Sequence, residues 1–201
     1  MCRRGLLPFT RYSHLKSSFL TTAPSRRLAQ SQPLTQGVNQ HMVLNIHARD
    51  LHTSRDAVGA LLDSLASDQD LLWPGDRWPA MRFDRPLQVG AVGGHGPIRY
   101  RVEKYEPGRA ILFRLTGRGV HGTHGFEIKD STPGRVRLEH RLSMRLSGVA
   151  RLSWPLMYRW LHDALIEDAL DRAEAAVTSR PLQERRWPLW VRFLRRVASR
   201  Q

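Results

Sequence analysis

The chain has 201 residues and a formal net charge of +14, and apolar residues make up 41% of it. That apolar share is enough for a buried core, so the composition excludes a chain that is unfolded throughout. The single cysteine, Cys2, excludes an internal disulfide and a cysteine-based metal cluster. No apolar run approaches the roughly 18 residues that a membrane-spanning helix needs.

The positive charge is concentrated at the two ends of the chain. Residues 1–41 carry six basic and no acidic side chains, and residues 181–201 carry six arginines against one glutamate. Residues 42–180 hold 20 basic and 17 acidic side chains, a net charge of only +3. Such a balanced segment lacks the basic face that follows nucleic-acid phosphates, so we expect no nucleic acid among the partners.

Residues 1–41 are rich in Ser, Thr, Gln, Pro and Arg and lack hydrophobic periodicity, which predicts a disordered basic leader. Its composition is typical of an organelle transit peptide. Alternatively, Met42 is the true start and the leader is an extension. Pro8, Pro24 and Pro33 interrupt the amphipathic helix of a transit peptide, which favours the second interpretation. We therefore expect a cytoplasmic protein, or an organelle protein if the leader is genuine.

Residues 42–180 have the pattern of one folded domain. A first strand ends before Leu51, and Thr53 or Ser54 can cap the helix that follows it. Residues 68–86 predict a short helical turn and then a loop with two exposed or half-buried indoles, those of Trp73 and Trp78.

A second strand is expected over Leu87–Val92, before a glycine-rich bend around His95. A strand begins at Pro97, where a phosphate-binding loop would need a helix, so we reject a nucleotide site.

From Pro97 to Met144 apolar and polar residues alternate, interrupted by two turns that contain Pro-Gly. Alternation with a period of two predicts antiparallel strands with one apolar face. The first turn predicts that Val102 lies opposite Phe113 and Tyr100 opposite Leu115. The second turn predicts three further pairs on the same face: Ile128 with Val136, Phe126 with Leu138, and His124 with His140.

A long amphipathic helix is predicted from Trp154 to Val177. Its apolar stripe includes Trp154, Met157, Tyr158, Leu161, Leu165 and Ala169, widened by Leu156, Trp160 and Leu170. Its acidic residues are expected to face solvent: Asp163, Glu167, Asp168, Asp171 and Glu174.

This order of elements resembles the START-like, polyketide-cyclase-like helix-grip superfamily, known as SRPBCC. The matching segments are the helix opening at Ser54–Val58, the connection Leu72–Pro74, the turn Glu106–Arg109, the strand Gly134–Leu138 and the long final helix. The resemblance covers roughly residues 43–178. It implies an α+β helix-grip fold: a curved antiparallel sheet wrapped around a long C-terminal helix, with two short helices after the first strand.

The resemblance further implies a hydrophobic cavity between the sheet and the final helix. Members of the superfamily bind lipids, quinones, sterols or polyketides, and a minority are cyclases or dehydratases. The candidate ligand-binding residues are Tyr100, Val102, Phe113, Leu115, His124, Phe126, Leu138, His140, Met157, Trp160, Leu161 and Leu165.

The two histidines of this set allow two interpretations. His124 and His140 can hydrogen-bond a ligand or act as acid and base; alternatively they bond each other, a water or the final helix. No local motif marks a nucleophile, and we expect no cofactor. Because His121 and His124 point to opposite faces of a strand, we also expect no metal site there.

The C-terminal tail, residues 181–201, is predicted to be a basic amphipathic element. Its membrane- or partner-facing candidates are Trp187, Trp190, Arg192, Phe193, Arg195 and Arg196. Aromatic side chains flanked by arginines are typical of a helix that lies on an anionic membrane. Alternatively the indoles dock on this domain or on a second subunit.

Three functions therefore remain open at this stage. The protein carries a small hydrophobic molecule, is a cyclase- or dehydratase-type enzyme that uses His124 and His140, or is an interaction module that acts through the tail.

Overall fold

The computed structural model of the protein describes residues 41–183 and 185–198. The predicted leader lies outside these residues, apart from His41 at the start of the first strand. The strands are β1 (His41–Leu51), β2 (Arg82–Phe83), β3 (Val92–His95), β4 (Ile98–Glu106), β5 (Ala110–Leu115), β6 (Val120–Asp130) and β7 (Val136–Leu146). The helices are α1 (Arg55–Asp63), α2 (Ala150–Ser153), α3 (Arg159–Thr178) and α4 (Leu189–Ala198), with a π-helical turn at Trp154–Tyr158 between α2 and α3.

The seven strands form one antiparallel sheet in the order β1-β7-β6-β5-β4-β3-β2. The first strand pairs with the last along its whole length, from His41 opposite Leu146 to Leu51 opposite Val136. The long helix α3 contacts β1, α1 and α4. The predicted α+β architecture, an antiparallel sheet with a long C-terminal helix, is confirmed. Of the two short helices expected after β1, the structure has one, α1, which Ser54 caps by accepting a hydrogen bond from the Ala57 N–H. Turns and bends follow it where the second was expected.

The predicted register of β4 and β5, which the turn Glu106–Arg109 connects, is confirmed. Val102 pairs with Phe113 and Tyr100 with Leu115. The Arg109 N–H donates to the Glu106 carbonyl over 2.9 Å, and Gly108 lies between them with φ +67°. A left-handed backbone at this position favours glycine, which explains the Pro-Gly sequence.

The second register prediction was wrong by two residues. Ile128 pairs with Leu138, Phe126 with His140 and His124 with Leu142. The strands pair up to Asp130 opposite Val136, which centres the loop on Pro133, whereas the predicted pairs centre it on Thr132. Moving the centre of the loop by one residue moves the pairing by two. A shift of two residues keeps every side chain on its predicted face, because the faces of a strand alternate with period two.

The final helix begins four residues earlier than predicted and is not regular. The Arg159 N–H donates to the carbonyl of Trp154, five residues back, which defines the π-helical turn. Pro155 lies within this turn and has no N–H to donate, so it interrupts the ordinary hydrogen-bond ladder.

The connection before the sheet also differs from prediction. The indoles of Trp73 and Trp78 are buried, at 3% and 7% exposure. Most of Leu87–Val92 forms bends and a turn, in which Gly90 has φ +89°. The strands on either side of this segment are the short pair β2 and β3.

The main core lies between the sheet and α3. The α3 residues that enter it are Ala164, Leu165, Ile166, Ala169, Leu170 and Ala173. A smaller cluster of Val43, Leu142, Met144 and Leu146 lies where β1 and β7 pair, with Trp154 packed against it. Within residues 41–183 and 185–198, no helix is both long enough and apolar enough to cross a membrane.

Candidate functional site

The sheet presents most of the predicted ligand-binding residues to α3. Seven of them are buried on β4–β7: Tyr100, Val102, Phe113, His124, Phe126, Leu138 and His140. Leu165 on α3 is buried as well, and Leu115, Met157 and Leu161 are half-buried. Trp160 is the exception and corrects the prediction. It is 44% exposed, and its indole N–H donates to the carbonyl of Pro155, because the π-helical turn shifts the helical stripe.

A continuous series of aromatic and imidazole rings occupies the interior. The Tyr100 ring lies 4.9 Å from that of Phe113 and 4.8 Å from that of His124, centroid to centroid. His124 is followed by His140 at 5.7 Å, and His140 by His162 of α3 at 5.1 Å. The hydroxyl of Tyr100 lies 3.0 Å from Nδ1 of His95. These contacts bring side chains of β3, β4, β5, β6, β7 and α3 into one group, called the histidine layer below.

Several nitrogens of the histidine layer have no hydrogen-bond partner in the described part of the chain. They are Nε2 of His124 and both ring nitrogens of His140 and His162. Buried polar atoms are nearly always paired, so a cluster of unpaired ones in an apolar interior indicates a site for a polar group or water. Sequence reasoning found His124 and His140 by their strand positions. It missed His162, which is half-buried on α3 and does not belong to the predicted apolar stripe.

Burial favours the neutral form of these histidines. Burial, and then the neighbouring histidines, lowers the pKa of His124 and His140 well below the ordinary value of 6.5. Burial likewise lowers the pKa of His162, although the carboxylate of Asp163 opposes this effect, and it lowers the pKa of His95 to about 3. A neutral imidazole has one N–H donor and one nitrogen acceptor, so the layer offers both kinds of hydrogen bond to a bound group.

The prediction that the acidic residues of α3 face solvent was wrong. Asp168 is 4% exposed, and its carboxylate accepts hydrogen bonds from Trp78 Nε1 at 2.7 Å and Trp187 Nε1 at 2.9 Å. Arg77 Nη1 lies 3.2 Å from the other oxygen of the carboxylate. The carboxylates of Asp163, Glu167, Asp171 and Glu174 contact side chains of β1 and the Arg185 region.

A further group of α3 and β1 side chains contains the elements of a metal site. One ligand atom from each of His47, His162 and Asp163 lies within 4.8 Å of the other two. The sequence did not suggest this group, because two of its members lie on the helix and the third lies 115 residues earlier, on β1.

The C-terminal tail presents two different faces. Val191 and Leu194 are buried against the domain. Trp187 is half-buried, and the guanidinium of Arg195 lies over the rings of Trp78 and Trp187. Trp187 and Arg195, which were predicted to face a membrane or partner, therefore contact the domain instead. The reason is that Trp187 hydrogen-bonds the carboxylate of Asp168, and Arg195 lies over the indoles of Trp78 and Trp187.

The outer face of α4 carries the other predicted residues. Trp190 and Phe193 are 45% and 53% exposed and stack on each other with centroids 5.3 Å apart. The Trp190 indole donates to the Leu156 carbonyl over 2.9 Å, which joins α4 to the π-helical turn. Arg192 and Arg196 are exposed, and with Trp187 and Arg195 they line an open groove of about 320 Å³.

No protein-family model and no curated protein sequence matches the chain. Solved structures do resemble it. Truncated norcoclaurine synthase from Thalictrum flavum aligns with a TM-score of 0.54 at 12% identity, over 72% of this chain and 98% of that one. Ara h 8.0201 aligns with a TM-score of 0.51 at 9% identity, over 70% and 100% of the two chains. A conserved protein of unknown function from Enterococcus faecalis aligns with a TM-score of 0.50 at 14% identity, over 79% and 86%.

Identities this low establish the fold alone. The chain therefore shares the helix-grip fold of these structures, an antiparallel sheet with a long C-terminal helix, as the resemblance in its sequence implied.

Proposed function

We propose that the protein binds a small, largely apolar molecule between the sheet and α3, and that the histidine layer recognises a polar group of that molecule. The single observation that carries the proposal is the set of unpaired nitrogens on His124 and His140 among buried aromatic rings. A few convergent polar groups among apolar and aromatic side chains are the usual composition of a small-molecule site. The ligand replaces part of the ring packing and supplies the missing hydrogen bonds.

We infer that the ligand enters beside the π-helical turn. Met157 and Leu161 are half-buried there, whereas the residues deeper on the sheet are fully buried. The hydrogen-bond ladder is interrupted at the same place, and π-helical turns often occur at functional positions.

Binding is favoured over acid–base catalysis by the same histidines. A general acid or base works best with a pKa near the operating pH, and the pKa values of both His124 and His140 are lowered well below their ordinary value by burial. In the described residues His140 has no hydrogen-bonded partner that would orient it. The site therefore favours ligand binding over a cyclase or dehydratase activity.

The test uses a pair of probes that differ only in polar atoms: 1,4-naphthoquinone and naphthalene. We expect His140→Phe to weaken naphthoquinone binding about tenfold, the equivalent of one lost hydrogen bond, and to leave naphthalene binding unchanged or tighter. Both affinities are measured by quenching of tryptophan fluorescence. His121→Gln, on the exposed side of β6, is the matched control.

Two outcomes contradict the proposal. If the wild-type protein binds neither probe, the interior is not a binding site. If His140→Phe weakens the two probes equally, the imidazole does not recognise the polar group. If the protein is an enzyme, native mass spectrometry of the protein from its own host first identifies a bound molecule. His140→Phe then abolishes turnover of that molecule.

As a second candidate function, we propose transient docking of the outer face of α4 on an anionic membrane. The observation that favours it is the apolar surface of Leu152, Leu156, Leu189, Trp190, Phe193 and Val197, each more than two-fifths exposed. Arg192 lies at this surface, and exposed arginines near apolar side chains favour anionic lipid headgroups. Binding of the full chain to anionic vesicles tests this proposal.

A further inference from the structure

His47, His162 and Asp163 meet where β1 passes α3. The atoms His47 Nε2 and Asp163 Oδ1 are 3.1 Å apart, and His162 Nδ1 lies 3.6 Å from the same oxygen. The three side chains are 14%, 31% and 16% exposed for His47, Asp163 and His162 respectively. The group is therefore largely shielded, and part of each side chain remains exposed to solvent.

The two distances to Asp163 Oδ1 are close to the edge length of a zinc coordination shell. Zinc–nitrogen and zinc–oxygen bonds of about 2.0–2.1 Å place the ligand atoms of a tetrahedron about 3.3 Å apart. The observed separations of 3.1 and 3.6 Å lie on either side of that value. Two histidines and one carboxylate, with a fourth position for solvent, form a ligand set that divalent transition metals use.

The side chains around the three ligands have the arrangement that supports a metal site. Glu167 Oε1 lies 2.7 Å from Nδ1 of His47, which leaves Nε2 of the same ring facing Asp163. A ligating histidine commonly donates its second N–H to a carboxylate in this manner. Asn45 Nδ2 donates to Asp163 Oδ1 over 2.9 Å. Asn45 and His47 share one face of β1, because side chains alternate along a strand.

His162 provides an independent observation. Both of its ring nitrogens are shielded from solvent and lack a hydrogen-bond partner, since Nδ1 is too far from Asp163 for a hydrogen bond. A bound cation would pair one of these nitrogens. The positively charged groups beside the site are already paired with carboxylates: Arg49 with Glu167, and Arg159 with Asp163 at 3.7 Å.

We propose that His47, His162 and Asp163 bind a divalent transition metal ion of the zinc class, with Glu167 and Asn45 as positioning residues. The competing description is an ion pair between protonated His47 and the carboxylates of Asp163 and Glu167. The two descriptions differ in a measurable way, because only the first one needs His162.

The experiment titrates the full chain, without an affinity tag and freed of metal by a chelator, with Co²⁺. We expect one ion per chain and the visible absorption bands of four-coordinate cobalt, which Zn²⁺ then abolishes by displacement. His162→Gln, His47→Gln and Asp163→Asn each weaken binding by at least about 100-fold. Glu167→Gln weakens it by about 10–100-fold, the range for a residue that orients a ligand. His121→Gln and His52→Gln leave it unchanged.

Asp163→Cys keeps the experiment decisive if the other variants are less stable. It retains a metal ligand, so we expect it to bind Co²⁺ and to add a near-ultraviolet thiolate-to-cobalt band that the wild-type chain lacks. The proposal is overturned if Co²⁺ gives no visible bands with the wild-type chain. It is equally overturned if His162→Gln binds Co²⁺ as tightly as wild type, or if Asp163→Cys adds no charge-transfer band.

Discussion

At the scale of single residues, one buried carboxylate joins three parts of the chain. Asp168 of α3 accepts hydrogen bonds from Trp78, 90 positions before it, and from Trp187 in the C-terminal tail. Arg77 pairs with the same carboxylate. A buried charge is tolerated only when it is paired and hydrogen-bonded, and Asp168 has three such partners.

Replacing Asp168 tests how much this junction contributes to stability. We expect Asp168→Ala to lower the free energy of unfolding by about 3 kcal/mol or more, because it leaves two indole N–H groups and a guanidinium without their acceptor. Asp168→Asn keeps the shape and one acceptor oxygen, so its effect is smaller. Urea denaturation followed by circular dichroism measures both.

The control for this prediction is Asp76→Asn, which removes an exposed ion pair with Arg172. Exposed pairs contribute about 1 kcal/mol at most. Equal losses at Asp168 and Asp76 would contradict the role assigned to the buried junction.

At the scale of elements, α4 has one face buried against the domain and one face exposed. Val191 and Leu194 pack on the domain, whereas Trp190 and Phe193 point outward. A helix with one apolar face needs only one partner, so the packing of residues 41–183 and 185–198 does not explain the exposed aromatic pair. Deleting the whole tail would remove both faces together, and point substitutions are therefore required to distinguish them.

Two double variants of α4 provide that distinction. We expect Trp190→Ala with Phe193→Ala to weaken binding to phosphatidylcholine–phosphatidylglycerol vesicles at least about tenfold, because aromatic side chains no longer enter the lipid boundary. Stability changes by about 1 kcal/mol or less. Val191→Ala with Leu194→Ala instead lowers stability by about 3 kcal/mol or more, since it opens cavities in the core.

Vesicle co-sedimentation and urea denaturation measure the two effects. Vesicle binding that persists in the Trp190 and Phe193 double variant would exclude this face as the docking surface, and so would equal binding to vesicles of phosphatidylcholine alone.

At the scale of the whole molecule, the shifted pKa values of the histidine layer predict a stability that depends on pH. The folded-state pKa values of His95, His124, His140 and His162 are lowered by burial, whereas hydrogen bonds to Asp163 and then to Glu167 raise that of His47. A histidine with a lowered pKa contributes stability above the unfolded value of 6.5 and loses it as pH falls toward the folded value. His47 has the opposite dependence, but the four lowered groups outnumber it.

We therefore expect the protein to become less stable as pH falls from 7.5 to 5.5. Below the unfolded pKa, each neutral buried histidine lowers the free energy of unfolding by up to about 1.4 kcal/mol for each pH unit. His140→Phe removes one titrating group and makes the pH dependence shallower, whereas His121→Gln, on the exposed face, does not. Denaturation midpoints at several pH values measure the slope, and a wild-type midpoint that rises toward acid would show that His47 dominates.

Much of the fold could be predicted from local spacing. The alternation from Pro97 to Met144 predicted strands and their inner face, because side-chain direction depends only on a period of two. The first Pro-Gly turn also predicted its register, since the turn at Gly108 leaves few alternatives. The second register was wrong by two residues because the length of an open loop does not determine where pairing begins. His124 and His140 were assigned to the inner face for the same local reason.

The sequence by itself determined which residues lie on which face of each strand, and with them the interior position of two histidines. Only the tertiary structure decided which distant residues meet: Asp168 with two indoles, His162 with the histidine layer, and His47 with Asp163. These contacts join segments that are far apart along the chain, and they depend on the path of α3 across the sheet. A periodic pattern carries no information about that path, so the polar groups that define the candidate sites became visible only when β1 and α3 were brought together.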